Sequence, residues 1–333
     1  MSDFRTLNLQ QLCERICENR KTLIIYHVRS DADAVGSAFA LRELLRVMNI
    51  PAFCACADEI PDRLRFLTDG VQGSVLLEED MGLDHERVIS VDSASPAQLG
   101  DLFGRLRRNV DLMIDHHAKG TVYADHYIDA DACATGEIIY EMAKYLLATG
   151  KILSIPMRVI HLVYAAMASD TGCFRYSNAS ARALRVAAEL IEAGADREEI
   201  NRCLFESKSL GQLRAEGEAA RRLLLHEDGR IASVTFPYSL KCELGIANEE
   251  METVIDIPRS VAGVQVAFVV RQSEENGAFR VSMRSTSACD VSAVCAKFGG
   301  GGHKRAAGCS VETENIRVAE ELILEAIRQE LSL

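Results

Sequence analysis

The stretch that decides the fold is residues 22–37, TLIIYHVRSDADAVGS. Its first part, residues 22–27, is a short apolar run that predicts a buried β-strand. Apolar side chains then recur at helical spacing over residues 35–48, so the strand is expected to lead into a helix. Two further short apolar runs follow at residues 88–92 and 112–115. Strands that alternate with helices are typical of βαβ units, which predicts an α/β domain with a mainly parallel sheet flanked by helices.

The last third of the chain has a different pattern. Apolar or alternating runs at residues 231–236, 264–271 and 278–284 predict strands. Asn276-Gly277 lies between the last two runs and favours a tight hairpin, because both residues tolerate positive φ. A helix is predicted over residues 313–331. These features predict a smaller C-terminal α/β domain with a mixed or antiparallel sheet.

The 333 residues are long enough for two domains. Residues 180–227 show only helical patterns that become increasingly charged, which is typical of a connector. We therefore expect one domain over residues 1–185, a helical linker over 186–227 and a second domain over 228–333.

The amino-acid composition limits the kinds of molecule that this protein is expected to bind and the compartment in which it is expected to lie. With 37 basic and 49 acidic residues the net charge is -12, which argues against general binding of long DNA or RNA. No apolar stretch is long enough for a membrane helix, and the N-terminus lacks an apolar signal core. The 11 cysteines are scattered without a CxxC pair, as in reduced cytosolic proteins. We expect a cytoplasmic protein without a membrane partner.

Acidic residues follow the predicted strands and one predicted helix. They are Asp31 and Asp33 after the first run, Asp92 after the second, Asp115 with His116 and His117 after the third, and Asp170 after the helix. Alone, Asp33 could be a helix N-cap and Asp31 a turn residue, and a single aspartate at a strand end is usually a turn former. However, the carboxyl ends of parallel strands meet at one edge of a sheet. So many carboxylates together would repel each other, and divalent cations are the natural compensation.

The ligand types narrow the choice of metal. Carboxylates with imidazoles and without thiolates suit Mn²⁺, Mg²⁺ or Fe²⁺, and the imidazoles favour Mn²⁺ over Mg²⁺. The set is large enough for two ions that share a bridging carboxylate, an arrangement typical of phosphoryl hydrolysis. The sequence therefore predicts two divalent cations, with Mn²⁺ preferred.

These motifs, in this order, resemble those of the DHH phosphoesterase superfamily: HxxxDxDxxGS at residues 27–37, then Asp92, then Asp115-His116-His117, then Asp170. The resemblance implies that His27 and Asp31 hold one metal and that Asp33, His116 and Asp170 hold the other. Asp92 would bridge the two. Asp115 would orient a ligand, and His117 would face the substrate phosphate as electrostatic stabiliser or acid.

A glycine-rich motif, GGGGHKRAAG at residues 299–308, is the second strong signal. Glycines permit close approach of a ligand, and successive N–H groups with nearby positive charges suit an anion. The motif resembles the signature of the DHH-associated C-terminal domain, in which Arg284 and Ser285 would form a strand-end element. The residues expected to contact substrate are Arg284, Ser285, Gly300, Gly301, Gly302, His303 and Lys304, together with Arg175, which follows Asp170.

The two-domain layout resembles the nanoRNase/pAp phosphatase group. This resemblance implies hydrolysis of short oligoribonucleotides to mononucleotides and of adenosine 3′,5′-bisphosphate to AMP. Three alternatives stay open: a cyclic or linear dinucleotide phosphodiesterase, an exopolyphosphatase-like enzyme and a non-catalytic nucleotide-binding sensor. The expected partner is a short oligonucleotide or nucleotide, and a homodimer is left open.

Overall fold

The computed structural model describes residues 4–68, 85–106, 108–275, 277–286 and 288–332. The chain divides into two compact units, Met1–Ser207 and Lys208–Leu333. The division falls inside the segment 186–227 for which a linker is predicted.

A five-stranded parallel sheet forms the centre of the first unit. Its strands are β1 (Thr22–Ile25), β2 (Ala52–Ala55), β3 (Arg87–Val91), β4 (Leu112–Asp115) and β5 (Asp125–Ile128). Their order in the sheet is β2-β1-β3-β4-β5, and every pair of neighbours is parallel. The three apolar runs predicted as strands are β1, β3 and β4 and lie side by side. The predicted α/β class with a parallel sheet is confirmed.

The helices of the first unit surround this sheet. They are α1 (Leu9–Ile16), α2 (Ala32–Val47), α3 (Leu102–Arg105), α4 (Thr135–Ala148), α5 (Met157–Asp170), α6 (Ala181–Glu192) and α7 (Arg197–Asn201). Short 3₁₀ segments span Asp62–Leu67 and Pro96–Leu99, and a π-helical segment spans Arg202–Glu206.

Both faces of the first sheet are buried. Ile24 and Tyr26 pack into a large core with α2, α4 and α5, whereas Leu23 and Ile25 pack into a second core on the opposite face. This alternation follows from the two-residue period of a strand. Burial on both faces explains why these strands are continuous apolar runs in the sequence.

Close packing of three helices positions the later site. A Cβ atom added at Gly36 on α2 would lie 2.8 Å from the carbonyl oxygen of Leu162 and 3.2 Å from the Ala166 side chain on α5. A Cβ added at Gly136 on α4 would lie 2.5 Å from the same Ala166 side chain. The two glycines therefore let the N-terminal turns of α2 and α4 approach α5 one turn before its last residue, Asp170.

The second unit contains a six-stranded mixed sheet. Its strands are β6 (Leu224–His226), β7 (Ile231–Phe236), β8 (Val266–Gln272), β9 (Phe279–Ser285), β10 (Gly301–His303) and β11 (Ala306–Val311). They lie in the order β10-β11-β9-β8-β7-β6, and only β7 and β8 pair in parallel. The predicted mixed sheet and the β8–β9 antiparallel pairing are confirmed. Asn276 of the predicted turn lies outside the described residues.

Helices cover both faces of the second sheet. They are α8 (Leu210–Arg222), α9 (Tyr238–Leu244), α10 (Asp256–Arg259), α11 (Val291–Ala296) and α12 (Ile316–Leu331), with a 3₁₀ segment over Glu249–Ile255. The last helix begins later than the predicted residue 313, because Asn315 is its N-cap and accepts hydrogen bonds from the N–H groups of Arg317 and Val318. In the described ranges, we find no helix with the length and apolarity needed to cross a membrane.

Candidate metal and substrate site

The carboxyl ends of three neighbouring strands bring the predicted ligands together. His27 follows β1, Asp92 follows β3, and Asp115 is the last residue of β4. Because β1, β3 and β4 are parallel and adjacent, these residues lie at the same edge of the sheet. The start of α2 and the last residue of α5, Asp170, reach the same edge.

One group of potential metal ligands consists of His27, Asp31 and Asp92, whose ligand atoms lie within 4.8 Å of one another. The Nε2 atom of His27 lies 3.8 Å from Oδ1 of Asp31 and 3.5 Å from Oδ2 of Asp92. Its Nδ1 atom lies 2.9 Å from the carbonyl oxygen of Val28, to which it can donate. In that tautomer Nε2 carries a lone pair that faces the two carboxylates, which is the form that binds a metal.

A second group consists of Asp33, His116 and Asp170. The Nε2 atom of His116 lies 3.2 Å from Asp170 Oδ2 and 3.8 Å from Asp33 Oδ2, and its Nδ1 lies 3.3 Å from the carbonyl oxygen of Ala132. Nε2 is buried and has no hydrogen-bond partner among the residues that the structure describes. A buried imidazole nitrogen surrounded by carboxylates fits a divalent cation.

Asp92 lies between the two groups. Its Oδ2 faces His27, and its Oδ1 lies 3.7 Å from His116 Nε2. It is 2% exposed and has a φ of +53°, a left-handed conformation that aspartate tolerates better than most residues. The sharp turn directly after β3 thus directs the carboxylate toward both groups, and strained backbone of this kind is common at functional sites.

The electrostatics of the cluster favour a cation. Burial and the nearby carboxylates of Asp92 and Asp170 raise the pKa of Asp33 well above its usual value. Burial and repulsion from Asp31 raise the pKa of Asp170 to about 6, although the nearby His116 imidazole acts in the opposite direction. Burial disfavours a charged His116, yet Asp170, Asp33 and Asp92 raise its pKa to about 11. Protons thus balance the clustered negative charge, and a bound divalent cation would replace them.

Asp31 has a second role as the N-cap of α2. Its Oδ1 accepts hydrogen bonds from the N–H groups of Asp33 and Ala34, both at 3.0 Å. The structural alternative from the sequence assigned an N-cap to Asp33 and a turn to Asp31, and this assignment is wrong. Asp33 instead lies in the first turn of the helix, fully buried.

Asp115 fixes the two histidines that follow it. Its fully buried Oδ1 accepts from the N–H groups of His116 at 2.7 Å and His117 at 3.1 Å, and it lies 2.7 Å from His117 Nδ1. The third possible ligand group, Asp92 with His116 and His117, would use the same Nδ1 atom. Because that atom already contacts Asp115, we consider His117 a poorer metal ligand than the other two histidines.

Arg175 lies on the exposed turn after α5. Its Nε donates to the carbonyl oxygen of Gly172 at 2.6 Å, within the same turn. It belongs to none of the three ligand groups.

The structure also brings residues to the site that the sequence did not suggest. Thr135 and Gly136, the first two residues of α4, donate their N–H groups to Asp33 at 2.7 and 2.9 Å. In the sequence, only the polar Thr-Gly-Glu stretch at the start of an apolar helix could have indicated this role. Such a stretch is common at the start of any helix, so it does not point to a site.

The second unit places its predicted residues along one end of its sheet. Arg284 pairs with Ala306 across β9 and β11, and the N–H of Ser285 donates to the carbonyl oxygen of Arg305 at 3.0 Å. The hydroxyl of Ser285 donates to the carbonyl oxygen of Cys289 at 2.7 Å, so this side chain stabilises its own loop.

The glycine motif is a hairpin rather than a bare loop. Gly301, Gly302 and His303 form the exposed edge strand β10, paired with β11. A Cβ at Gly300 would lie 2.2 Å from the carbonyl oxygen of Gly308, and one at Gly302 would lie 2.6 Å from that of Ala306. Close backbone packing therefore requires glycine at both positions. The hairpin leaves Gly301, Gly302, His303 and Lys304 exposed.

Both units of the chain match domains of known protein families. Residues 21–167 match the DHH family, N-terminal domain, and residues 231–331 match the DHHA1 domain. The bifunctional oligoribonuclease and PAP phosphatase NrnA of Thermus thermophilus is 29% identical over 311 residues, 93% of this chain and 90% of the relative. The protein of the same name from Bacillus subtilis is 29% identical over 301 residues, 87% of this chain and 89% of the relative.

A solved structure supports the fold. The crystal structure of an exopolyphosphatase-related protein from Bacteroides fragilis matches with a TM-score of 0.87 at 19% identity, covering 97% of this chain and 96% of that chain. The two family matches cover more than two thirds of the sequence, in the expected order. The ligand residues from His27 to His117 lie within the first match. The chain therefore consists of a DHH-family N-terminal domain followed by a DHHA1 domain, and it is similar to the NrnA proteins over most of its length.

Proposed function

We propose that this protein is a metal-dependent phosphoesterase that hydrolyses short oligoribonucleotides to mononucleotides and adenosine 3′,5′-bisphosphate to AMP. The observation that carries the proposal is the pair of adjoining ligand groups, His27–Asp31–Asp92 and Asp33–His116–Asp170, with Asp92 between them. The two NrnA relatives, named for oligoribonuclease and PAP phosphatase activity, support the choice of substrate.

Two divalent cations fit the donors, because each group offers one imidazole and two carboxylates. Carboxylate and imidazole ligands without thiolate favour Mn²⁺, with Mg²⁺ and Fe²⁺ as the other candidates. When bound, such ions activate water and stabilise the charge that develops on the phosphate in hydrolysis. Asp92 lies close to both His27 and His116, so it is the residue that would be shared by the two ions.

The chain's own residues would handle the proton and the phosphate. Asp115 Oδ1 lies 2.7 Å from Nδ1 of His117 and holds the ring in place. Burial lowers the pKa of His117, but the carboxylates of Asp115 and Asp92 raise it by more, so the net shift of the pKa is upward. A protonated His117 would present Nε2 to a phosphate oxygen and stabilise negative charge there. It can also deliver a proton to the leaving oxygen.

The second unit also contains groups that suit a phosphate or nucleotide. Arg284 on β9 and Lys304, directly after the exposed glycine strand β10, supply positive charge, and His303 at the end of β10 adds an imidazole. A guanidinium can bind a phosphate through two parallel hydrogen bonds. We propose that these groups bind a phosphate or the sugar–base end of a short chain. We also propose that Arg175 contacts a phosphate. Ser285 would stabilise the end of β9, where Arg284 lies, through the hydrogen bond from its hydroxyl to the carbonyl oxygen of Cys289.

The compartment is part of the proposal. All 11 cysteines are free thiols, and six of them are buried. Persistent free thiols are typical of a reducing compartment, which supports a cytoplasmic enzyme that encounters nucleotide fragments.

A substrate panel tests this function. Purified enzyme with added Mn²⁺ should be assayed against a diribonucleotide, a five-mer, a 24-mer, adenosine 3′,5′-bisphosphate, a cyclic dinucleotide and polyphosphate. We expect the diribonucleotide and the bisphosphate to be the best substrates. Preferred cleavage of the cyclic dinucleotide or polyphosphate would overturn the substrate assignment. Binding of nucleotides without turnover of any compound would indicate a sensor.

A further inference from the structure

Thr135 contacts one carboxylate from each of the two ligand groups. Its backbone N–H donates to Oδ2 of Asp33 at 2.7 Å, and its hydroxyl donates to Oδ1 of Asp92 at 3.0 Å. Thr135, Asp33 and Asp92 are all buried, and Thr135 lies 43 residues from Asp92 and 102 residues from Asp33 in the chain. One residue outside the predicted ligand set thus joins both halves of the cluster.

Asp33 is held from several sides at once. Besides the Thr135 N–H, its Oδ1 accepts from the Gly136 N–H at 2.9 Å and from the Ser37 hydroxyl at 2.8 Å. A carboxylate can accept about four hydrogen bonds, so these three donors occupy most of its lone-pair positions and fix the orientation of the carboxylate. Two of the donors lie at Oδ1 and one at Oδ2, so the remaining position is on Oδ2, which lies 3.8 Å from His116 Nε2.

Asp92 depends more on the threonine side chain. The Thr135 hydroxyl is the hydrogen-bond donor to Oδ1 among the described contacts, while His27 and His116 lie at 3.5 and 3.7 Å from its two oxygens. Without the hydroxyl, the Asp92 carboxylate could rotate about its last side-chain bond. The orientation that serves both ligand groups would then be held only by the weaker contacts with the histidines.

The hydroxyl is not needed to begin the helix. Thr135 is the first residue inside α4, and Ala134 is the N-cap. The turn is stabilised separately, because the N–H of Cys133 donates to Oε2 of Glu137 at 2.8 Å. The fully buried Glu137 also forms a 2.6 Å ion pair with Arg182. The start of α4 is therefore rigid before the Thr135 hydroxyl is considered.

We propose that Thr135 is a positioning residue that couples the two cation-binding groups, by holding Asp33 through its amide and Asp92 through its hydroxyl. This inference rests on the proposed function of the same site. Residues that orient metal ligands typically change metal affinity or activity by about 10- to 100-fold when they are removed.

The test compares Thr135→Val with Thr135→Ser. Valine keeps the shape and the backbone N–H but removes the hydroxyl, whereas serine keeps the hydroxyl. The matched control is Thr149→Val at the opposite end of α4, where the hydroxyl donates to the carbonyl oxygen of Tyr145 at 2.8 Å. Mn²⁺ binding to the full chain without substrate would be titrated by electron paramagnetic resonance, which measures free Mn²⁺ and detects coupling between neighbouring ions.

We expect Thr135→Val to bind the bridged Mn²⁺ pair about 10- to 100-fold more weakly and to lose the coupled signal. Its kcat should fall with little change in KM for a diribonucleotide, and Thr135→Ser and Thr149→Val should resemble the wild type. If Thr135→Val does not fold, as judged by circular dichroism, Thr135→Ala is titrated with the same expectation.

Wild-type Mn²⁺ affinity and coupling in the hydroxyl-free variant would overturn the coupling role and leave the proposed function intact. A failure of Thr135→Ser to restore both would also overturn it. A wild-type protein that neither binds Mn²⁺ nor hydrolyses any member of the panel would instead overturn the proposed function.

Discussion

Oδ2 of Asp92 lies 3.5 Å from Nε2 of His27. The other oxygen, Oδ1, faces the second ligand group, 3.7 Å from His116 Nε2. A single carboxylate therefore has one oxygen for each group, as a bridging ligand requires. The sharp left-handed turn at Asp92 makes this orientation possible.

Replacing Asp92 by asparagine should abolish turnover and weaken Mn²⁺ binding, because an amide supplies only one ligand oxygen and no charge. Circular dichroism should show that the metal-free variant keeps its fold, because the asparagine amide oxygen can still accept the hydrogen bond from the Thr135 hydroxyl. Steady-state hydrolysis of a diribonucleotide in Mn²⁺ measures the effect, with the exposed Asp131→Asn as control. Normal activity of Asp92→Asn would sink the two-metal assignment.

Metal removal should inactivate the enzyme reversibly. Each of the two ligand groups offers two carboxylates, one imidazole and no thiolate, so EDTA should extract the ions without chemical damage. After the chelator is removed, Mn²⁺ should restore activity best, ahead of Mg²⁺, Fe²⁺ (added without oxygen) and Zn²⁺. Full activity in excess EDTA after prolonged dialysis would contradict metal dependence.

Arg284→Ala should weaken substrate binding without affecting the metals. Loss of a charge-assisted contact to phosphate should cost about 1.5–3 kcal/mol in kcat/KM. Arg280→Ala is a matched control, because Arg280 lies four residues earlier on the same strand and the same face but is distant from the glycine hairpin. Steady-state kinetics and metal analysis are the measurements, and loss of Mn²⁺ in Arg284→Ala would show that the residue has been misassigned.

The rate should fall steeply as the RNA lengthens. The net charge is -12, and the proposed positive groups are few and local, so a long polyanion gains little extra binding. We expect kcat/KM to fall from a dinucleotide to about ten nucleotides, since the few proposed positive groups can contact only a short stretch of phosphates. A 24-mer degraded as fast as a dinucleotide, at equal concentration and moderate salt, would contradict the short-substrate proposal.

Arg87 supports the fold of the first unit rather than the site. It is 2% exposed, and its guanidinium donates to the Thr22 hydroxyl at 2.9 Å and to the carbonyl oxygens of Arg15 and Ile16 at the end of α1. Arg87→Met should lower the free energy of unfolding by about 2–4 kcal/mol, because buried acceptors lose their donors. Urea denaturation measures this, and the exposed Arg46→Met should change stability by less than about 0.5 kcal/mol. If Arg87→Met is as stable as the wild type, the prediction is wrong and water replaces the lost hydrogen-bond donors.

The interior strands of the first sheet could be predicted, whereas the edge strand β5 could not. β1, β3 and β4 are buried on both faces, so each is a continuous apolar run that stands out in the sequence. β5, Asp125–Ile128, is half-buried at the edge and contains Asp125 and His126, so its pattern is too polar to detect. The glycine strand β10 has no side-chain pattern at all, because its pairing depends on backbone hydrogen bonds to β11.

The amino-acid sequence by itself determined the ligand types, their order and the strands that carry them, because a residue at the end of a parallel strand has little freedom in where it lies. Only the tertiary structure decided that Asp31 caps α2 while Asp33 is buried, and that Thr135 joins Asp33 to Asp92. Those contacts span up to 102 residues of chain. They depend on the close approach of α2 and α4 to Ala166 on α5, a packing distance that local sequence patterns do not encode.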